Sequence, residues 1–128
     1  MQKEKGVLSS ILYIEDDSAN REIVNMYLKE HFIVDTASNS SEAFKKLKQS
    51  KYDVLLLDIN LCHGLNGFEL AKKLRKDDNY TDVPIIAVTA HAYREAEIQI
   101  MNCGCSDFIS KPFTKKTLID KINKALSR

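Results

Sequence analysis

The chain has 128 residues, of which 44% are hydrophobic and 29% charged, with a formal charge of +1. That length suits one domain around a single core, and the near-zero charge argues against non-specific binding to nucleic acid or anionic lipid, which draws on a basic field. No apolar run approaches the ~20 residues needed to cross a bilayer, and the polar start Met1-Gln2-Lys3-Glu4-Lys5-Gly6 leads into no signal-peptide core, so three cysteines read as reduced thiols of a cytoplasmic protein.

Residues 1–9 are expected to be a lead-in to a domain over 10–128. Ile11-Leu12-Tyr13-Ile14 is a short apolar, β-rich run, so a buried strand, and it ends in the acids Glu15-Asp16-Asp17. Three adjacent carboxylates repel one another and call for a compensating cation. A helix follows from Ala19 to His31, with Ser18 as its N-cap and Ile23, Met26, Tyr27 and Glu30 at three- and four-residue steps. Phe32 to Ala37 reads as the second strand. Asn39-Ser40-Ser41-Glu42 has capping-box spacing and opens a helix to about Gln49 with Ala43, Phe44 and Leu47 on its apolar stripe.

Tyr52-Asp53-Val54-Leu55-Leu56-Leu57-Asp58 has an acidic start, a short apolar stretch and a carboxylate at its end; a buried helix fits the stretch too, but the flanking Lys51 and Asp53 and the loop with Gly64 and Gly67 favour a strand buried on both faces. Asn66-Gly67-Phe68-Glu69 repeats the cap spacing and launches a helix with Phe68, Leu70, Ala71 and Leu74 inward. Lys72, Lys73, Arg75 and Lys76 point largely outward, a solvated face rather than a nucleic-acid stripe. Ile85-Ile86-Ala87-Val88, entered from Pro84, is the fourth strand and ends at Thr89-Ala90-His91. A helix from about Tyr93 to Asn102, with Ala96, Ile100 and Met101 apolar, stops at Gly104. Cys103-Gly104-Cys105 lacks the two-residue gap of zinc and thioredoxin motifs, so its cysteines read as buried thiols at a helix stop. Asp107 to Ser110 is a short fifth strand, and Thr114 caps a last helix with Leu118, Ile119, Ile122, Ala125 and Leu126 on one face.

Five strand–helix pairs in alternation predict an α/β fold with a parallel sheet, helices on both faces and right-handed crossovers. Ligands of such sheets bind at the carboxyl ends of the strands. There the sequence offers Glu15-Asp16-Asp17, Asp58, Thr89 and Lys111. Clustered carboxylates make a hard oxygen site suited to Mg²⁺. A carboxylate can attack phosphorus to form an acyl phosphate, and ammonium and hydroxyl donors stabilise the transferring group. There is no Walker-type glycine loop for nucleotide binding.

The runs Ile11 to Asp17, Tyr52 to Asp58, Gly67-Phe68-Glu69, Pro84 to Ala90 and Ser110-Lys111-Pro112-Phe113, in that order, resemble the receiver domain of two-component response regulators. The resemblance implies a doubly wound, flavodoxin-like (βα)5 fold with strand order 2-1-3-4-5, the order given for a chemotaxis receiver. It implies Asp58 as phosphoacceptor, Asp16 as a direct Mg²⁺ ligand, Glu15 as an acid reaching the metal through water, and Asn60 as donor of a backbone carbonyl. It also implies Thr89 and Lys111 as contacts of the phosphoryl group, a cis Lys111–Pro112 bond, and a switch pairing Thr89 with Phe108. Phe108 stands where Tyr is common and has no hydroxyl, so its switch works by packing.

The implied partner upstream is a histidine kinase or histidine phosphotransfer protein. Downstream it is a partner on the fourth helix, fifth strand and fifth helix, with no nucleic acid or membrane involved. Such a domain catalyses at most its own phosphorylation and dephosphorylation. Two features depart from the family. Leu61-Cys62 stands where Met-Pro is usual, and the loop from Leu61 to Gly67 is one residue longer than the common form. His91 matches a position that influences hydrolysis, with an exposed loop histidine as the equal alternative. The chain ends with the last helix, so no output domain is expected: it is either a stand-alone regulator or a receiver cut from a hybrid sensor kinase. Rival readings are a phosphorylation-independent binding module of the same fold, and a phosphatase with an Asp nucleophile, which would carry a second Asp where Asn60 stands.

Overall fold

The computed structural model describes residues 7–90 and 93–127. The proposed lead-in therefore falls partly, and His91 wholly, outside the described residues. Five strands and five helices alternate: β1 Ser10–Ile14, α1 Ser18–Leu28, β2 Ile33–Ala37, α2 Ser40–Gln49, β3 Val54–Asp58, α3 Gly67–Arg75, β4 Ile85–Thr89, α4 Arg94–Asn102, β5 Asp107–Ser110 and α5 Lys115–Leu126. The strands form one parallel sheet in the order β2-β1-β3-β4-β5.

The core follows from the period-2 alternation of strand side chains. Leu12, Ile14, Leu55, Leu57, Ile85 and Ala87 face one way, where Leu47 of α2, Leu70 and Leu74 of α3 and Ile100 of α4 pack on them. Ile11, Tyr13, Val54, Leu56, Ile86 and Val88 face the other, against Val24 and Leu28 of α1 and Leu118 and Ile122 of α5. β3 is fully buried, because helices cover both sides and strands flank both edges. Each of its leucines contributes about 1.5–3 kcal/mol by leaving water.

Local chemistry sets the helix ends. Asn66 accepts from the Glu69 amide at 2.9 Å while Glu69 accepts from the Asn66 amide at 3.1 Å, a complete capping box. Asn39 accepts from the Glu42 amide at 2.9 Å, but the Glu42 carboxylate reaches one residue further back, to the Ser38 amide at 3.1 Å. Thr114 accepts from the Thr117 amide and caps α5.

Several local expectations are corrected. α1 is capped by Asp17, whose carboxylate accepts from the Ala19 amide at 3.1 Å, and not by Ser18. α1 stops at Leu28 rather than His31, and it buries Val24 and Leu28, while Ile23 and Met26 are exposed at 45% and 64%. The spacing admitted two faces, and the sheet selected the one that meets Ile11 and Leu56. Arg75, expected outward, is half-buried. Its guanidinium donates to the carbonyls of Gly104 at 2.7 Å, Tyr80 at 2.8 Å and Val83 at 2.6 Å, tying α3 to the ends of two loops. Met101 of α4 is likewise exposed.

Candidate functional site

Strand register assembles the site. Ile14 pairs with Leu57, which sets Glu15 and Asp58 level as the next residues on β1 and β3. Asp58 pairs with Val88, one residue before Thr89, and Thr89 pairs with Ser110, one residue before Lys111. Four side chains separated by up to 96 positions are thereby delivered to one edge of the sheet.

Lys111 lies between two carboxylates. Its ammonium donates to Glu15 Oε1 at 3.0 Å and to Asp58 Oδ2 at 3.3 Å. Glu15 is fully buried and Asp58 is 3% exposed, while Asp16 is half-buried and Asn60 exposed, so the cluster reaches solvent through the last two. The Asn60 amide donates to Asp58 Oδ1 at 2.8 Å, and the Cys62 amide donates to Asp16 Oδ2 at 3.1 Å. The loop after β3 therefore holds two of the three acids in place through its backbone amides. Gly67 permits that loop to close: a Cβ on it would stand 2.5 Å from the Ile59 Cα and 2.6 Å from the Asp58 carbonyl oxygen. Thr89 is buried at the end of β4, and its carbonyl accepts from the Lys111 amide at 2.7 Å. The Lys111–Pro112 bond is cis. Phe108 sits on β5 opposite Ala87, half-buried, with the Lys121 ammonium 5.5 Å from its ring centre.

Sequence reasoning missed three supports of Glu15. Asn20 donates to Oε1 at 2.7 Å, the Tyr13 hydroxyl donates to the same atom at 3.3 Å, and Arg21 donates to the backbone carbonyl at 2.8 Å. Their signal was positional: Asn20 and Arg21 lie in the first turn of α1, which starts directly after the acids. Asp17, the third acid of the run, serves as the helix cap instead of joining the cluster.

Charge crowding shapes the protonation equilibria. Burial, and then the Asp58 carboxylate beside it, push the Glu15 carboxyl up to about 7, against the opposing pull of Lys111 and Asn20. Burial acts to lower the Lys111 ammonium, but its two acidic neighbours more than offset this and hold it above the usual lysine range. Asp16 is likewise raised by burial, but its Cys62 hydrogen bond prevails and it lies below the usual carboxylate range.

Glu15, Asp16 and Asp58 each offer an oxygen, and these oxygens all lie within 4.8 Å of one another. Glu15 Oε2 is buried and has no hydrogen-bond partner among the described residues. A buried, unpartnered carboxylate oxygen next to two further acids fits a hard divalent cation, which would supply the missing contact. Among the described residues no helix is long and apolar enough to cross a membrane.

Comparison with known proteins agrees with this geometry. The family model described as response regulator receiver domain matches residues 11–123. Chemotaxis protein CheY-3 of Vibrio cholerae is 33% identical over 120 residues, covering 92% of each chain. The probable transcriptional regulator ycf29 of Porphyra purpurea is 32% identical over 120 residues, 93% of this chain and 57% of that protein. This chain thus spans about half the length of several curated relatives, among them a phosphate regulon regulatory protein of Pseudomonas aeruginosa.

Among solved structures, Vibrio cholerae CheY4 superposes with a TM-score of 0.89 at 26% identity, covering 94% of this chain and all of that one. The receiver domain of sensor histidine kinase PA1611 from Pseudomonas aeruginosa is described with a magnesium ion coordinated in its active site cleft. It superposes with a TM-score of 0.87 at 25% identity, covering 95% of this chain and all of that one. With its five parallel strands, its acidic cluster and a family match over nearly its whole length, the chain belongs to the response regulator receiver domains.

Proposed function

We propose that the chain, as a receiver over 10–128, accepts a phosphoryl group from a phosphohistidine onto Asp58 and thereby switches a partner-binding face. The observation that carries this reading is the position of Asp58 at a buried strand end, within 3.3 Å of the Lys111 ammonium and within 4.8 Å of two further acids. A carboxylate oxygen of Asp58 attacks phosphorus, the phosphorus–nitrogen bond of the donor imidazole breaks, and an acyl phosphate forms. Lys111 pairs with the phosphoryl oxygens, and the Thr89 hydroxyl donates to them. Glu15, Asp16, Asp58 and the Asn60 carbonyl would hold Mg²⁺. When bound, Mg²⁺ neutralises charge on the transferring group and on the crowded acids.

The acyl phosphate draws Thr89 inward and repacks Phe108, favouring one of two pre-existing states. The face that responds is formed by α4, β5 and α5. Tyr93, Ile98 and Met101, each at least half exposed, give that face apolar anchors for a protein partner. The upstream partner is a histidine kinase or histidine phosphotransfer protein in the cytoplasm. A phosphorylation-independent binding module would have no use for the complete acid, threonine and lysine set.

The test is intact mass after incubation with acetyl phosphate and Mg²⁺. One phosphate adduct is expected on the wild type and none on Asp58→Ala. An adduct that survives the substitution overturns the assignment of Asp58.

A further inference from the structure

The α4–β5 joint carries chemistry that phosphoryl transfer does not use. α4 ends in a Schellman turn: the Gly104 amide donates to the Met101 carbonyl at 3.2 Å and the Cys105 amide to the Ile100 carbonyl at 3.3 Å. Gly104, at φ +104°, supplies the left-handed residue this turn requires. The reversal brings the two flanking cysteines together. Their sulfurs are 3.6 Å apart, and both residues are buried in the apolar cluster beneath α4. Arg75 braces the turn from the other side through its 2.7 Å bond to the Gly104 carbonyl. A bond between the sulfurs needs about 2.05 Å, so closure takes a small side-chain adjustment.

We infer that Cys103 and Cys105 form a redox-active dithiol, oxidised reversibly to an intramolecular disulfide by a small peroxide. The proposal is independent of the phosphoacceptor reading. Cys103 is the nucleophile: its own hydrogen points to the Ile100 carbonyl at 3.0 Å, so its sulfur accepts from the Cys105 thiol, which lowers its pKa although burial opposes this. Cys105, raised by that same donated hydrogen bond and by burial, keeps its proton. The Cys103 thiolate attacks one oxygen of hydrogen peroxide and the O–O bond breaks. The departing hydroxide takes up the proton that Cys103 released and leaves as water, and Cys103 becomes a sulfenic acid. The Cys105 sulfur then attacks the Cys103 sulfur, the S–O bond breaks, and the oxygen departs as a second water carrying the Cys105 proton. Two thiols give up two electrons and one peroxide is reduced to two waters. The oxidant must be this small, because residues exposed by only 3% and 4% do not admit a bulky disulfide.

The test uses the full chain carrying Cys62→Ser, which removes the exposed third thiol. After treatment with equimolar hydrogen peroxide, denaturation and alkylation, both thiols are expected to be lost together with a mass decrease of about 2 Da, and to return with dithiothreitol. Neither Cys103→Ser nor Cys105→Ser in that background shows the decrease. Fragmentation of the tryptic peptide 95–115 locates the bond in the unsubstituted chain as well, so the result does not depend on the folding of any variant. Thiols that stay fully alkylatable, sulfinic acid at either position without a bond, or a disulfide only between two chains would each overturn the proposal.

Discussion

Replacing Glu15 by Gln should stabilise the fold above neutral pH and remove most of its pH dependence. The wild-type carboxyl rises from its usual 4.5 to about 7 because burial and then the Asp58 charge disfavour the ionised form. A raised folded-state value means that the folded chain holds this proton more tightly than the unfolded chain does. Stability from this group is therefore full below about pH 4.5, falls through the interval up to about 7, and stays low above it. That rise corresponds to roughly 3 kcal/mol at full ionisation, and relaxation around the site trims the observable share to about 1–3 kcal/mol. Glutamine keeps the shape and the contact with Asn20 but cannot ionise.

Urea unfolding of both proteins at pH 5 and pH 8, without divalent cation, reads the difference directly. The wild type should lose about 1–3 kcal/mol relative to the variant between the two. Mg²⁺ at pH 8 should return about 1.4 kcal/mol to the wild type at tenfold excess over its dissociation constant, and less to the variant. A variant less stable than wild type at pH 8, with parallel pH profiles, would refute the account of Glu15 as a crowded, strained acid.

Lys111→Met should cut the rate of phosphorylation by acetyl phosphate by about 10²-fold or more, measured by intact mass against time, since it removes the cation shared by Glu15 and Asp58. Gly67→Ala should cost about 3 kcal/mol or more in urea unfolding and weaken Mg²⁺ binding, because the new methyl collides with backbone at 2.5 and 2.6 Å rather than with a mobile side chain. Arg75→Ala should cost about 2 kcal/mol, since four carbonyls lose a charged donor, and it should leave Mg²⁺ affinity within twofold, measured by titration.

The alternation of apolar runs and capped helical stretches determined the fold class by itself. Leu55-Leu56-Leu57 has no polar side, which fits a strand covered on both faces or a buried helix, and the flanking Lys51 and Asp53 with the glycine-containing loop after Asp58 favoured the strand. Asn39, Asn66 and Thr114 marked helix starts because each carries the short acceptor that an orphan amide requires. What the chain could not state was distance. That Glu15 and Lys111, 96 residues apart, are hydrogen-bonded at 3.0 Å is decided by register, which depends on how all five strands slide together. The face of α1 was misread for the same reason: Ile23 and Met26 share helical spacing, yet only the sheet beneath chooses Val24 over Met26. Asp17 was read into the acid cluster and Arg75 into solvent, yet one caps a helix and the other joins two loops, because helix-end amides and loop carbonyls without backbone partners recruited them. Likewise, Cys103 and Cys105 became a sulfur pair only once the turn at Gly104 had folded.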